Sequence, residues 1–392
     1  MKPAFYEAVA TLIGTIIGAG VLAIPYAISK AGFLTGLMIL AVLAFASILV
    51  YLYVGEVVLR TKGNFQLSGY ARKYLGNIGG SLMAFTMIFG IYGALIAYII
   101  GVGDSLAALF STNQINFLQF SMSSNIFFSL LFFIFASLVV YRGMKMVGMS
   151  EMIMSSIVVV LLLAISVLAF PGMRISNLAS FDISKVFLPY GVILFALSGA
   201  VAIPEIKEQL SSNRKQLRKA IIIGVMVPVV LYLLFSLVTV GVCGIGTTEI
   251  ATVCLGQRFG SASFLMGNLF AILAMTTSFL SLGFGLKEMY KYDYRIKHFF
   301  SWILACVVPL IFFFLLVKFL PQETFYRTIS LSGGITMTLE GILVVLMHNK
   351  AKWHGERKPE FSIKRSKIIS AVLIIIFVLG FVYTLLEFFR IL

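Results

Sequence analysis

Eleven runs of about twenty mostly apolar residues follow one another along this chain of 392 residues, each long enough to cross the hydrocarbon core of a bilayer as a helix. They lie near Glu7 to Ser29, Leu34 to Leu59, Ser81 to Phe110, Asn125 to Tyr141, Met149 to Phe170 and Val186 to Pro204, then Lys219 to Gly241, Ser261 to Tyr290, Phe299 to Phe319, Thr324 to Met347 and Ile368 to Phe389. Lipid offers the backbone no hydrogen-bond partner, so each run must satisfy its peptide groups internally. The expected fold class is therefore an all-α polytopic membrane protein. Only short connections remain, which leaves no room for a soluble catalytic domain. Composition agrees: charged residues make up 11%, against about 25% in soluble domains. No low-complexity linker divides the chain, which reads as a single transmembrane domain over 1–392.

Thirty Lys and Arg against fifteen Asp and Glu give a net charge of +15. In a soluble protein such an excess suggests nucleic acid; here its placement gives another reason. With the N-terminus in the cytoplasm, the inner segments around Lys2, Arg60 to Lys73, Arg142 to Lys145, Lys207 to Lys219, Lys287 to Lys297 and Lys350 to Lys367 hold 23 of the 30 basic residues. The outer segments hold Lys30, Arg174, Lys185, Arg258, Lys318, Arg327 and Arg390. This bias is the signature of a multi-pass protein of the cell membrane, with its C-terminus outside. It needs no nucleic acid, and the partner it implies is the lipid bilayer. The first run is rich in glycine and lacks a small-residue cleavage site, so it reads as a retained helix and not a signal peptide.

Cys243, Cys254 and Cys306 show no C-x-x-C spacing, and no H-E-x-x-H pattern accompanies them. No metal or redox site is expected, and no cofactor. His298, His348 and His354 fall at or beyond the ends of apolar runs and read as surface histidines near lipid headgroups.

Two runs differ from the rest. The first carries Gly14, Gly18 and Gly20 within seven residues, with Pro25 beyond. Each glycine costs a helix about 1 kcal/mol relative to alanine, so the cluster invites unwinding; a G-x-x-x-G packing face is the other reading of Gly14 and Gly18. The sixth run reads Phe195-Ala196-Leu197-Ser198-Gly199-Ala200-Val201-Ala202-Ile203-Pro204-Glu205, with Ser-Gly in mid-span and Pro-Glu closing it. Interruptions in helices one and six imply two five-helix halves. An odd number makes the second enter the membrane from the opposite face, an inverted repeat with a midplane site. The halves run about 7–170 and 186–347, with an extra helix over 368–389. Irregular backbone at that depth is tolerated where it lines a cavity. Freed N–H groups of Gly18, Ala19 and Gly20, at the start of a half-helix, suit a carboxylate. Freed carbonyls around Thr15 and Ile16, with Phe195, Ser198, Gly199 and Ala200 opposite, suit an ammonium group. An α-amino acid presents both. Val201, Ile91 and Tyr92 are candidates for an apolar wall around its side chain.

The stretches GTIIGAGVLAIPYAISKAGF from Gly14, YIIGVGD ending at Asp104, FALSGAVAIPE ending at Glu205 and TTSFLSLGFGLKEMYKYD from Thr276 resemble the amino acid/polyamine/organocation superfamily. Within it, the chain resembles the amino acid/auxin permeases and the hydroxy and aromatic amino acid permeases. The resemblance implies a leucine-transporter-like fold, amino acid substrates and a co-transported cation, proton or sodium. For sodium it implies a site at the carbonyls of Gly14 and Ile17 and the hydroxyls of Thr277 and Ser278; ordinary hydroxyl bonding to the preceding turn is the alternative for that pair. The lysine that proton-coupled relatives of one branch carry in helix five is absent between Met149 and Phe170. Intramembrane carboxylates are functional candidates by default, which singles out Glu340, Glu56 and Glu205 for proton coupling, with structural pairing as the alternative for Glu340 and Asp104. Glu205 also suits a cap or a gate.

These features predict a secondary active transporter of neutral, aromatic or branched amino acids working by alternating access. An amino acid exchanger or a membrane sensor would use the same site. An integral membrane enzyme would need clustered acidic or histidine residues, which the fifteen scattered carboxylates do not supply.

Overall fold

A computed structural model of the chain describes residues 2–110, 114–117, 120–142, 147–292, 294–319 and 324–389; Arg390 lies outside them. The first run is two helices, α1 (Lys2–Ile16) and α2 (Gly20–Ala31), bent 54° at the break between them. α3 (Phe33–Arg60) returns to the end of the bundle where basic residues concentrate. α4 (Leu67–Phe110) begins earlier than the sequence reading places the third span, because Gly76, at φ 79°, divides a short leading helix from the span proper. A hairpin of β1 (Gln114–Phe117) and β2 (Phe120–Ser123) then leads to α5 (Ser124–Arg142) and α6 (Val147–Ala169).

The sixth span is also divided, into α7 (Tyr190–Ala196) and α8 (Ile203–Gln209). Pro204 does not close it, as the sequence reading expected. Proline lacks the N–H that a first helical turn leaves unpaired anyway, so Pro204 starts α8 and the span runs to Gln209. α9 (Leu217–Cys243), a short α10 (Ala251–Phe259) and α11 (Ser261–Tyr292) follow. α12 (His298–Trp302) passes through a π turn at 303–307 into α13 (Val308–Phe319), and α14 (Thr324–His354) and α15 (Lys367–Phe388) complete the bundle. Among the described residues nine helices are long and apolar enough to span a membrane, and the bent α1–α2 pair makes ten. α6 occupies the place of the expected fifth span.

The divided span is the centre of the molecule. Of its apolar window 83% is buried, against 28% for α15 at the periphery. α7 and α14 cross so closely that a Cβ at Gly333 would sit 2.1 Å from the Gly191 carbonyl oxygen, so both helices need glycine there. At the end opposite the basic residues, Cys243 and Cys254 form a disulfide that ties α10 to the last turn of α9. The sequence reading, searching for closer spacings, did not pair them.

Candidate substrate and ion site

The two breaks meet. A Cβ on Gly20 would lie 2.5 Å from Ala196, and one on Gly199 would lie 2.5 Å from the Ile16 side chain, so the glycines are required by close approach. Tyr232 of α9 stitches the breaks together, donating its hydroxyl to the carbonyls of Ile16 at 2.8 Å and Ala196 at 3.0 Å. From α3, Tyr51 donates to the carbonyl of Leu197, and the N–H groups of Gly199 and Ala200 point at the same tyrosine oxygen. On the other flank, the hydroxyls of Tyr98 of α4 and Ser278 of α11 are hydrogen-bonded to each other. Both would lie 3.3 Å from a Cβ on Gly18.

Tyr51 and Tyr232 answer the demand that unwinding creates. Each freed carbonyl in a dry interior costs several kcal/mol unless it finds a donor, and a buried tyrosine supplies one on a rigid apolar ring. Sequence reasoning singled out neither of them, although a tyrosine in mid-span of an apolar helix was the available signal. The predicted acceptors Ile16 and Phe195 are accordingly in use: the Ile16 carbonyl takes the Tyr232 hydroxyl, and that of Phe195 takes the Ser198 N–H at 3.1 Å.

Some donors remain. The N–H groups of Gly18, Ala19 and Gly20 have no backbone partner among the described residues, and they open the N-terminus of the 12-residue α2. The Ser198 hydroxyl likewise has no partner among the described residues. Thr15 is turned away, its hydroxyl bonded to Thr11 O at 2.8 Å. Thr277 behaves the same way, bonding Leu273 O at 3.1 Å and Ala274 O at 2.9 Å of its own helix. Of the hydroxyl pair read from the sequence, only Ser278 is brought against Gly18. Gly14 lies in the last turns of α1, and the N–H of Ile17 still bonds Ile13 O at 2.9 Å, so the helix unwinds just past Ile17.

A family model described as the tryptophan/tyrosine permease family matches residues 1–386. The chain belongs to the tryptophan/tyrosine permease family. As a permease it transports amino acids and is not an enzyme. It is 24% identical over 310 residues to Glutamine transporter 2 of Aliivibrio fischeri, covering 76% of this chain and 78% of that protein. It is 26% identical over 293 residues to Tyrosine-specific transport system 1 of Haemophilus influenzae, covering 70% of each. Its fold is similar to that of MhsT, solved in complex with L-phenylalanine, with a TM-score of 0.69, 14% identity and coverage of 97% and 98% of the two chains. That likeness identifies the leucine-transporter-like fold.

The carboxylates of the permease divide sharply. Glu340 of α14 is 4% exposed and has neither hydrogen-bond nor ion-pair partner among the described residues. Its electrostatic influence falls on Tyr51, the residue that grips the break at Leu197. α14, which carries Glu340, packs against both α3 and α7. Glu56 of α3 is instead surrounded by donors: Arg60 Nε at 2.8 Å, Lys352 Nζ at 2.6 Å, His348 Nε2 at 3.0 Å, Ser362 Oγ at 3.0 Å and Ile363 N–H at 2.8 Å. His348 is thus no surface histidine. It is 1% exposed and stacked on Tyr53 with ring centroids 4.0 Å apart. Glu205 is exposed in the first turn of α8. One turn on, Gln209 donates to Thr11 Oγ1 at 3.1 Å, joining α8 to α1. Asp104 accepts from Asn125 Nδ2 at 2.6 Å, which gives it the structural pairing weighed for it. The Tyr92 hydroxyl bonds Tyr290 at 2.8 Å and the π-turn carbonyl of Leu304 at 2.9 Å.

Proposed function

We propose that this permease is a symporter of neutral amino acids, aromatic ones foremost, that works by alternating access and is coupled to protons through Glu340. One observation carries the reading: Tyr51, which holds the broken backbone of the sixth span at Leu197, lies within electrostatic reach of the buried Glu340, a carboxylate with no hydrogen-bond or ion-pair partner among the described residues. The substrate carboxylate lies at the N–H groups of Gly18, Ala19 and Gly20, and its ammonium group at Ser198, the carbonyl of Thr15 and the second lone pairs of the Ile16 and Phe195 carbonyls. The names of the relatives, transporters of tyrosine and glutamine, support a neutral side chain. Protonating Glu340 removes a negative charge that acts on Tyr51 and so alters the hydroxyl that holds Leu197. Proton and substrate thereby bias the same element, which is what coupling requires.

Sodium at Gly14, Ile17, Thr277 and Ser278 is the second reading, favoured by the position of Ser278 and Tyr98 against Gly18. The turned-back hydroxyl of Thr277 speaks against it. The chain forms two repeats, about 7–170 and 186–347, with helix 368–389 outside them, and one bundle of helices rocks against the other in the cell membrane. The basic end faces the cytoplasm, leaving the N-terminus inside and the C-terminus outside. The Cys243–Cys254 disulfide at the opposite end fits an oxidising compartment there.

The test is uptake of labelled tyrosine into proteoliposomes under an inward proton gradient without sodium, and under an inward sodium gradient at equal pH. Concentrative uptake with protons alone, lost in Glu340→Gln while tyrosine binding persists, is the expected result. Uptake only with sodium moves the coupling site to Thr277 and Ser278. Counterflow without net uptake makes the protein an exchanger, and binding without any flux makes it a sensor.

A further inference from the structure

α15 packs mainly on α14, and with α3 it lines a groove of about 430 Å³ on the outer surface of the bundle. Its walls are apolar: Val42, Phe45 and Leu49 from α3, Ile369, Val372 and Ile376 from α15. Phe45 is 65% exposed, so the groove opens outward toward lipid. Its lower wall begins at Ile368 and Ile369, in the first turn of α15, and just before them the chain carries Lys364, Arg365 and Lys367. All three are exposed, and none forms an ion pair among the described residues. The Arg365 guanidinium lies 5.4 Å over the ring of Trp353, itself 73% exposed. An exposed tryptophan at the end of a spanning helix marks the headgroup level.

From this arrangement we infer that the α3–α15 groove is a binding site for an anionic phospholipid, one acyl chain lying between the helices and the phosphate held by Lys364, Arg365 and Lys367. Charge complementarity selects the occupant. An apolar trough alone would accept any acyl chain, but three unpaired cations at its mouth favour a lipid with a net negative headgroup. The basic bias of this end accounts for the number of cations but not for a trough that begins where they end.

The protein contains two tryptophans, Trp302 and Trp353, which makes the site directly readable. In Trp302→Phe, Trp353 is the only tryptophan and sits beside the mouth of the groove. The purified full-length variant, reconstituted in phosphatidylcholine, is titrated with chain-brominated phosphatidylglycerol or chain-brominated phosphatidylcholine, and quenching of Trp353 is recorded. Half-quenching at a mole fraction about tenfold lower for phosphatidylglycerol is expected. That preference should disappear both when Lys364, Arg365 and Lys367 are replaced by glutamine and when Val372→Phe fills the trough with the cations intact. Equal quenching by the two lipids overturns the site. So does a preference that survives Val372→Phe, which would mean a diffuse attraction to the surface. Preference lost only because the protein dimerises through this face, seen as a doubled mass in detergent, also overturns it.

Discussion

Glu56 and Glu340 are buried carboxylates on neighbouring helices, and the protein treats them in opposite ways. Glu56 collects five donors from α3, α14 and the segment before α15, including two permanent cations. A group so surrounded cannot take up a proton without breaking several bonds at once, and its work is to clasp three parts of the chain together. Glu340, which precedes His348 and Lys352 on α14, has no such donor among the described residues, and its charge acts on Tyr51. A charge without partners in a dry interior is costly, and the neutral form removes that cost. Burial alone therefore says little about the role of a membrane carboxylate; the count of donors around it decides.

The contrast breaks most visibly at Glu56. Glu56→Ala strands Lys352 and His348 without their partner, and loss of one member of a buried ionic cluster costs about 3–5 kcal/mol; thermal melting in detergent should fall accordingly, with transport lost through misfolding. Glu340→Gln should do the reverse, leaving the melting temperature unchanged or raised while concentrative uptake falls at least about tenfold, a coupling term of roughly 1.4 kcal/mol. Equal destabilisation by both would erase the distinction. A finer probe is Tyr51→Phe, which removes the hydroxyl and leaves the ring: with interhelical hydrogen bonds in membranes averaging about 0.6 kcal/mol, a roughly threefold loss of proton-driven uptake is expected, non-additive with Glu340→Gln in a double-mutant cycle. The smallest effect belongs to the exposed pair of Lys73 and Glu356 at 2.7 Å. Its two side chains remain in water, so Glu356→Gln should leave melting and uptake within experimental error.

The breaks were legible in the sequence because backbone disruption has a compositional cause, glycine at Gly14, Gly18 and Gly20 and Ser-Gly at Ser198 and Gly199. The family resemblance and the spacing of apolar runs then brought the architecture within reach. The donors that repair the breaks were not legible. Tyr51 and Tyr232 are two among 16 tyrosines, and a helix that is apolar all round gives no periodic signal of which face turns inward. The role of Glu56 depends on His348 and Lys352, almost three hundred residues away, and no local pattern announces such a meeting. Pro204 misled for a related reason: proline both ends and begins helices, and only the chain on either side decides which.

Tyr232 has a mechanical consequence. By holding Ile16 and Ala196 with one hydroxyl, and with Gly20 and Ala196 in contact at the same point, it welds the two discontinuities into a single joint. The half-helices cannot then swing independently, as two doors would. In the proposed alternating-access cycle they would turn together about one pin, carrying a substrate seated beside it without handing it from one helix to the other.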